Sequence, residues 1–270
     1  GYVAIPMALA GLRTPSVVYV PDIEPGLALK VLSRFADRIA VTTRTSRSYF
    51  HRRSDHVAVT GYPVRSDLTS WTEEEAYQVF DFSPDLPTLL VTGGSLGAYS
   101  INRALSSILP DLLSEMQILH LTGRYTWPQF KDNAEKLPPA LAARYRVYPY
   151  LHEEMGAAFR VADAVLCRAG ASTLGELSHF GLAAILVPYP HAWRYQRVNA
   201  DYLVQHDAAQ MLPDADLEER LKPMLLDLIR DESRRKAMSA AMKSLAQPDA
   251  AASIGDLLVK AASPDTALRT

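Results

Sequence analysis

Leu89-Leu90-Val91-Thr92-Gly93-Gly94-Ser95-Leu96-Gly97-Ala98 is the stretch on which the reading of the fold turns. An apolar, β-branched run suited to a buried strand ends in the three glycines Gly93, Gly94 and Gly97, and a helical pattern follows over 98–109. Glycine lets backbone come close to a ligand, and the first N–H groups of a helix have no intrahelical partner and face an incoming anion. The layout is that of a phosphate cradle. It is equally how many α/β units close without a ligand, so the motif alone leaves both readings open.

The same alternation of strand and helix extends in both directions. Downstream, strands are expected at 88–92, 116–121, 146–148, 164–167, 184–188 and 208–212. Helices are expected between and after them at 98–109, 127–136, 154–162, 172–180, 195–205 and 217–229, with two more over 233–261 split by Pro248. Upstream, a helix over 1–11 precedes strands at 16–20, 38–42 and 56–60, with a helix at 27–36 and a helical turn at 45–49. Apolar density drops over 66–87, where Pro84, Pro87 and Glu73-Glu74-Glu75 mark a linker and a helix leading into the second domain. Alternating elements of this kind specify α/β domains with parallel sheets and ligands at the carboxyl ends of the strands. The expected division is 1–65, 66–87, 88–246 and 247–270. The chain opens on Gly1-Tyr2-Val3 with no Met, which reads as a fragment lacking an upstream portion.

Composition narrows the function classes. Of 270 residues 48% are hydrophobic, and the formal net charge is −2, so there is no global electrostatic footprint for nucleic acid. A lone Cys167 excludes an internal disulfide and favours a reducing, cytoplasmic compartment. No apolar run reaches the roughly 18 residues of a membrane span. There is no HExxH, Cys–His cluster, serine elbow or acidic metal trio, so neither a metal nor a cofactor is expected. Residues 44–53 are basic with two aromatics, a solvated face or a contact for anionic lipid or phosphate.

Three further strand ends carry unusual residues. In Arg168-Ala169-Gly170-Ala171-Ser172-Thr173-Leu174-Gly175-Glu176, Ser172 or Thr173 can cap a helix, with Glu176 closing a capping box on Thr173. Alternatively Glu176 accepts both hydroxyls of a vicinal diol such as a ribose. After Val187-Pro188, Gln196 and Asn199 stand three apart on one helical face, either as solvated residues or as a pair of amides reading sugar hydroxyls. Arg65 in Gly61-Tyr62-Pro63-Val64-Arg65 is either a surface charge or, in an inter-domain cleft, a partner for a diphosphate.

Gly1-Tyr2-Val3, Gly61-Tyr62-Pro63-Val64-Arg65, the glycine loop, Arg168 to Thr173 with Glu176, and Gln196 with Asn199 occur in the order seen in the MurG family of glycosyltransferases, which the chain resembles from Gly1 to about Ala262. The resemblance implies the two-domain GT-B fold, two Rossmann-like doubly wound domains, the first incomplete here. It implies transfer of N-acetylglucosamine from UDP-GlcNAc to undecaprenyl-linked muramoyl-pentapeptide, with inversion, at the inner face of the cytoplasmic membrane. By the same resemblance Arg65 and Ser95 contact the donor diphosphate or sugar, and Leu151 holds uracil through its backbone. Ser172 and Thr173 line the phosphate side of a helix start, Glu176 takes the ribose, and Gln196 with Asn199 reads the N-acetylglucosamine. The C-terminal helix is expected to return to the first domain.

The chain departs from the family in three places. The family's first glycine-rich loop and proposed catalytic histidine are expected upstream of Gly1, so the chain alone is expected to be inactive. Pro21-Asp22-Ile23-Glu24-Pro25 replaces a frequent His-Glu-Gln-Asn run, and Tyr195 replaces a glutamine. Other readings are a different GT-B UDP-sugar transferase or epimerase, or a non-catalytic UDP-sugar-binding subunit. An NAD site is disfavoured because Gly-Gly-Ser-Leu-Gly lacks the Gly-x-Gly-x-x-Gly spacing.

Overall fold

The computed structural model describes residues 4–11, 14–192 and 194–263; Gly1-Tyr2-Val3, Leu12-Arg13, Trp193 and the tail 264–270 lie outside the described residues. The first half runs α1 (Ala4–Ala10), β1 (Val17–Val20), α2 (Leu27–Leu32), β2 (Arg38–Val41), a 3₁₀ stretch (Thr45–His56) and β3 (Val57–Val59). The three strands are parallel in the order β1-β2-β3, in register Val17 with Arg38 and Ile39 with Val57. Val20, Ile39, Val41 and Val57 form a small core with Phe50. The helical turn expected at 45–49 extends to His56 as 3₁₀ geometry, kinked at Phe50 and Arg53. Phe50 is drawn into that core at the kink, and packing overrides the local pattern.

The second half continues with α3 (Glu73–Phe80), β4 (Thr88–Thr92), α4 (Tyr99–Leu113), β5 (Gln117–Leu121), α5 (Trp127–Phe130), α6 (Pro139–Ala142) and β6 (Tyr145–Tyr148). There follow α7 (Met155–Val161), β7 (Ala164–Cys167), α8 (Ala171–Phe180), β8 (Ala183–Leu186), α9 (Tyr195–Gln205), β9 (Ala209–Met211), α10 (Leu217–Arg230), α11 (Glu232–Ser244) and α12 (Ala250–Ala262). The six strands are parallel in the order β6-β5-β4-β7-β8-β9. This is a doubly wound sheet: the chain first adds strands on one side of β4, then crosses to add the rest on the other. Both faces are covered, so the interior strands β7, Ala164-Val165-Leu166-Cys167, and β8, Ala183-Ala184-Ile185-Leu186, read as unbroken apolar runs. Along β4, Leu90 enters one core cluster while Leu89 and Val91 enter the other, the period of two expected of a pleated strand.

The helix expected over 27–36 ends at Leu32, with Ser33 as its C-cap, and two helices of the second half differ from expectation for identifiable reasons. A helix over 98–109 is ended by Pro110 on local rules, yet α4 runs through it to Leu113 because Leu112 and Leu113 are fully buried beyond the proline. The helix expected over 127–136 breaks after Phe130, where φ is −120°, and continues as 3₁₀ geometry to Lys136. Within 66–87, α3 starts at a capping box in which the Thr72 side chain and Glu75 exchange hydrogen bonds with each other's backbone. Its Ala76 and Phe80, with Leu68 and Phe82, are buried in a core cluster of the second sheet. Finally α12 lies against β1 and β2. The chain crosses back over the domain junction at Gly61, where an added Cβ would fall 2.4 Å from Cβ of Gln247.

Candidate functional site

The strand order reverses between β4 and β7, so the loops leaving their carboxyl ends diverge and open a crevice between them. From β4 comes the glycine loop. Gly97 N–H donates to Gly94 O at 3.0 Å, and Gly94 N–H donates to Thr92 Oγ1 at 3.3 Å, a tight turn delivering the chain into α4. The N-cap, Ala98, offers no side-chain acceptor, so the first amides of α4 are left for a ligand. Gly97 has φ +88° and packs backbone to backbone on Gly123, with φ +84°; a Cβ on Gly123 would fall 2.1 Å from Gly97 Cα. Arg124 N–H then donates to Ser95 O at 3.1 Å, fixing the exposed Ser95 at the rim.

A buried polar network lies behind this loop. His120 on β5 is fully buried; its Nδ1 pairs with the Tyr145 hydroxyl at 2.7 Å and its Nε2 with Asn102 Oδ1 at 3.0 Å. Asn102 Nδ2 in turn donates to Thr122 O at 2.8 Å and Thr126 Oγ1 at 3.0 Å, against Gly97. Burial pushes the His120 imidazole down to about 3 and raises the Tyr145 hydroxyl, so both are neutral and one ring nitrogen is an acceptor. The residues are 43 positions apart at most in sequence, from Asn102 to Tyr145, and no local spacing announces them.

From β7 comes the second wall. Helix α8 begins at Ala171 with Gly170 as N-cap and no side-chain cap. The capping box expected of Thr173 and Glu176 is therefore absent: Thr173 lies inside the helix and its hydroxyl donates back to Arg168 O at 3.1 Å. Glu176 is instead hydrogen-bonded to Ser172 and attracted by Arg65 across the junction, while burial, the larger effect, raises its carboxyl above the ordinary range. Gly175 on the same helix touches Tyr62, whose ring would lie 2.6 Å from an added Cβ. The hinge segment carrying Arg65 is thereby seated on α8. Arg65 is exposed, with Asp67 3.6 Å away. Cys167 is buried, its thiol pushed up to about 12 chiefly by burial, which makes it unreactive.

The remaining expected residues fall into two groups. Leu151 has its side chain buried in the core, so its peptide groups are what it offers a ligand. Beside it, the Arg124 guanidinium stands over the Tyr150 ring at 5.0 Å and bonds His152 Nε2 at 2.7 Å. Gln196, in the first turn of α9, accepts from Tyr189 N–H at 2.9 Å through Oε1, holding its loop. Gln196 is half-buried, whereas Asn199 is enclosed. It is 1% exposed, its Nδ2 donates to Asp22 Oδ1 at 2.8 Å and Ala169 O at 3.1 Å, and its Oδ1 accepts from Ile23 N–H at 3.1 Å. Helical spacing places Gln196 and Asn199 on one face, and at Asn199 that face is covered by the other half of the chain.

Sequence reasoning also left Arg168 without a role. It donates to Val187 O at 3.1 Å, Asp214 Oδ1 at 2.5 Å and Ser100 Oγ at 2.9 Å, tying both walls and the far edge of the sheet together. The crevice thus has two uncapped helix N-termini for an anion, a half-buried carboxylate for a diol, and an exposed guanidinium at the hinge. Among the described residues no group of three or more His, Cys, Asp or Glu is placed to hold a metal ion.

Comparison with known proteins identifies the family. The family profile "Glycosyltransferase family 28 C-terminal domain" matches residues 88–254. A protein from Roseiflexus sp. (strain RS-1), named UDP-N-acetylglucosamine--N-acetylmuramyl-(pentapeptide) pyrophosphoryl-undecaprenol N-acetylglucosamine transferase, is 40% identical over 96% of this chain and 67% of its own length. A protein of the same name from Chlorobium phaeobacteroides is 35% identical over 97% of this chain and 71% of its own. Among solved structures, MurG of Acinetobacter baumannii superposes with a TM-score of 0.75 at 27% identity, covering 96% of this chain and 72% of that one. A UDP-GlcNAc 2-epimerase from Neisseria meningitidis bound to UDP-GlcNAc, at TM-score 0.69 and 15% identity over 94% of this chain and 72% of that one, shares the fold.

Proposed function

The chain belongs to the MurG family of glycosyltransferases, and from that premise we propose that it serves transfer of N-acetylglucosamine from UDP-GlcNAc to the undecaprenyl-linked muramoyl-pentapeptide of peptidoglycan synthesis. The observation that carries the reading is the pairing, at one switch point, of two helix N-termini without side-chain caps with the carboxylate of Glu176. That arrangement suits a nucleoside diphosphate, whose charge lies on the helix ends while its ribose diol meets the carboxylate.

In this reading the acceptor 4-hydroxyl attacks the anomeric carbon. The new bond to the acceptor oxygen forms as the bond to the diphosphate oxygen breaks, the configuration inverts, and the hydroxyl proton passes to a general base. The departing UDP takes the electron pair, and the amides of Gly93 and Ser95, those of the first turn of α4, the Ser172 amide at the start of α8 and the Arg65 guanidinium stabilise the charge that develops, while the internal hydrogen bonds of Gly94, Gly97 and Thr173 hold the two loops in shape. Leu151 holds uracil through its peptide groups, Glu176 the ribose, and Gln196 the sugar through its amide nitrogen. The acceptor is a lipid, so the protein works peripherally at the inner membrane face. The exposed Arg44, Arg47 and Arg52 suit an anionic surface, and no helix among the described residues is long and apolar enough to cross a membrane.

Calorimetric titration tests the donor assignment. UDP and UDP-GlcNAc are expected to bind and compete for one site, with UDP-galactose weaker than UDP-GlcNAc. Absence of UDP binding, or equal affinity for the two sugars, would contradict the assignment.

A further inference from the structure

Pro21-Asp22-Ile23-Glu24-Pro25 leaves the end of β1, in the first half, and each residue between its prolines docks on the second half. Asp22 and the Ile23 N–H are both bound by Asn199. The Ile23 side chain, 1% exposed, enters a core cluster of the second sheet. Glu24 is forked by Arg194, Nε to Oε2 at 2.6 Å and Nη2 to Oε1 at 2.5 Å, and is approached by Lys30 Nζ at 3.3 Å. Its side chain is 3% exposed, so this is a desolvated carboxylate that requires its cationic partners.

The two side chains that hydrogen-bond this segment across the junction, Arg194 and Asn199, lie just before and in the first turns of α9. One turn contains both Arg194, held by Glu24, and Gln196, held by Tyr189 N–H. Fixing one fixes the other, because two positions along a helix are separated by a set rise and rotation. The segment therefore sets where the Gln196 amide stands relative to the glycine loop.

We propose that Glu24 is a positioning residue for the donor sugar: through its bidentate pair with Arg194 it anchors the start of α9 to the first half of the chain and so places the Gln196 amide nitrogen for the sugar hydroxyls. The inference rests on the UDP-sugar reading of the crevice. It concerns only the sugar end, since the nucleotide end is built from the glycine loop, Leu151 and Glu176.

The test is a thermodynamic cycle on the intact protein with Glu24→Gln, Arg194→Gln and the double variant, titrated with UDP and with UDP-GlcNAc. Each single change is expected to weaken UDP-GlcNAc by about five- to tenfold, the worth of one neutral hydrogen bond at the upper end of its range. UDP is expected to hold within about twofold, and the double variant to be no worse than the worse single. A simple loss of folding would lower both ligands together, so UDP reports on the integrity of the domain in every sample. The Arg194 side chain is 64% exposed, which gives a second route to the same pair should Glu24→Gln not fold. Arg197→Ala, which removes a solvent-exposed pair with Asp201 on the same helix, is expected to change neither ligand. Unchanged UDP-GlcNAc affinity in folded variants, an equal loss for UDP, or additive losses in the double variant would each overturn the proposal. Failure of the unaltered protein to bind UDP would instead remove the UDP-sugar reading itself.

Discussion

Glu176→Gln separates ligand recognition from stability, because it moves the two in opposite directions. Glutamine keeps the shape of the side chain and an oxygen for the Ser172 hydrogen bond but removes the charge. A carboxylate accepts both hydroxyls of a vicinal diol, whereas an amide presents one oxygen and a donor. One charge-assisted hydrogen bond is lost, worth about 1.5–3 kcal/mol, or roughly ten- to 150-fold in the dissociation constant for UDP. Burial raises the Glu176 carboxyl, with Ser172 and Arg65 opposing. An acid whose folded value lies above its unfolded value contributes stability below the unfolded value and loses that contribution as pH rises through the folded one. At neutral pH the ionised form is therefore held at a cost, and the glutamine variant is expected to melt at an equal or higher temperature than the parent. The parent's affinity for UDP-GlcNAc, whose diphosphate diester does not titrate in this range, is expected to weaken as pH falls into the carboxylate range, earlier than for a surface carboxylate, while the variant's stays flat. Calorimetry from about pH 8 down to about pH 5, with a melting curve at each end, checks both signs. Unchanged UDP affinity at neutral pH, or a loss of affinity accompanied by a lower melting temperature, would refute the diol assignment.

Gly97→Ala meets both a positive φ and a clash, its Cβ falling 2.1 Å from Thr122 O. A loss of about 2–4 kcal/mol is expected in urea unfolding, with UDP binding abolished; near-parent values in both would mean the loop relaxes freely. His120→Gln should flatten the acid limb of the stability curve. The neutral imidazole contributes stability above its unfolded value, lost as pH falls from about 6.5 towards about 3 at up to about 1.4 kcal/mol per pH unit, and a variant showing the parent's slope would remove His120 as the cause. Asn199→Ala strands Ile23 N–H and Ala169 O and is expected to cost about 2–4 kcal/mol in unfolding. A variant with the parent's melting temperature but a diminished preference for UDP-GlcNAc over UDP would return Asn199 to the sugar.

The legible parts of this molecule are those in which cause and consequence lie close together along the chain. Residues 88–98 state a buried strand, a turn that needs glycine and a helix start, and all three can be read because each depends on residues a few positions apart. The doubly wound sheet follows from repetition of that unit, and all six of its strands appear within a residue or two of their expected bounds. Legibility ends where a side chain's role is set by a distant partner. Gly123 looks like an ordinary turn glycine until Gly97 is brought against it, and His120 looks like a strand residue until Asn102 and Tyr145 close around it. Asn199 shows where a local inference stops. Its helical face follows from spacing, but the Pro21 to Pro25 segment that covers it is 174 positions away at nearest, from Pro25 to Asn199, and no periodicity within α9 encodes that contact. The same segment was visible in the sequence only as a departure from the family's pattern. Its placement against α9 gives those residues a physical role in this chain: a proline-bounded strut whose buried carboxylate takes hold of the helix that carries Gln196.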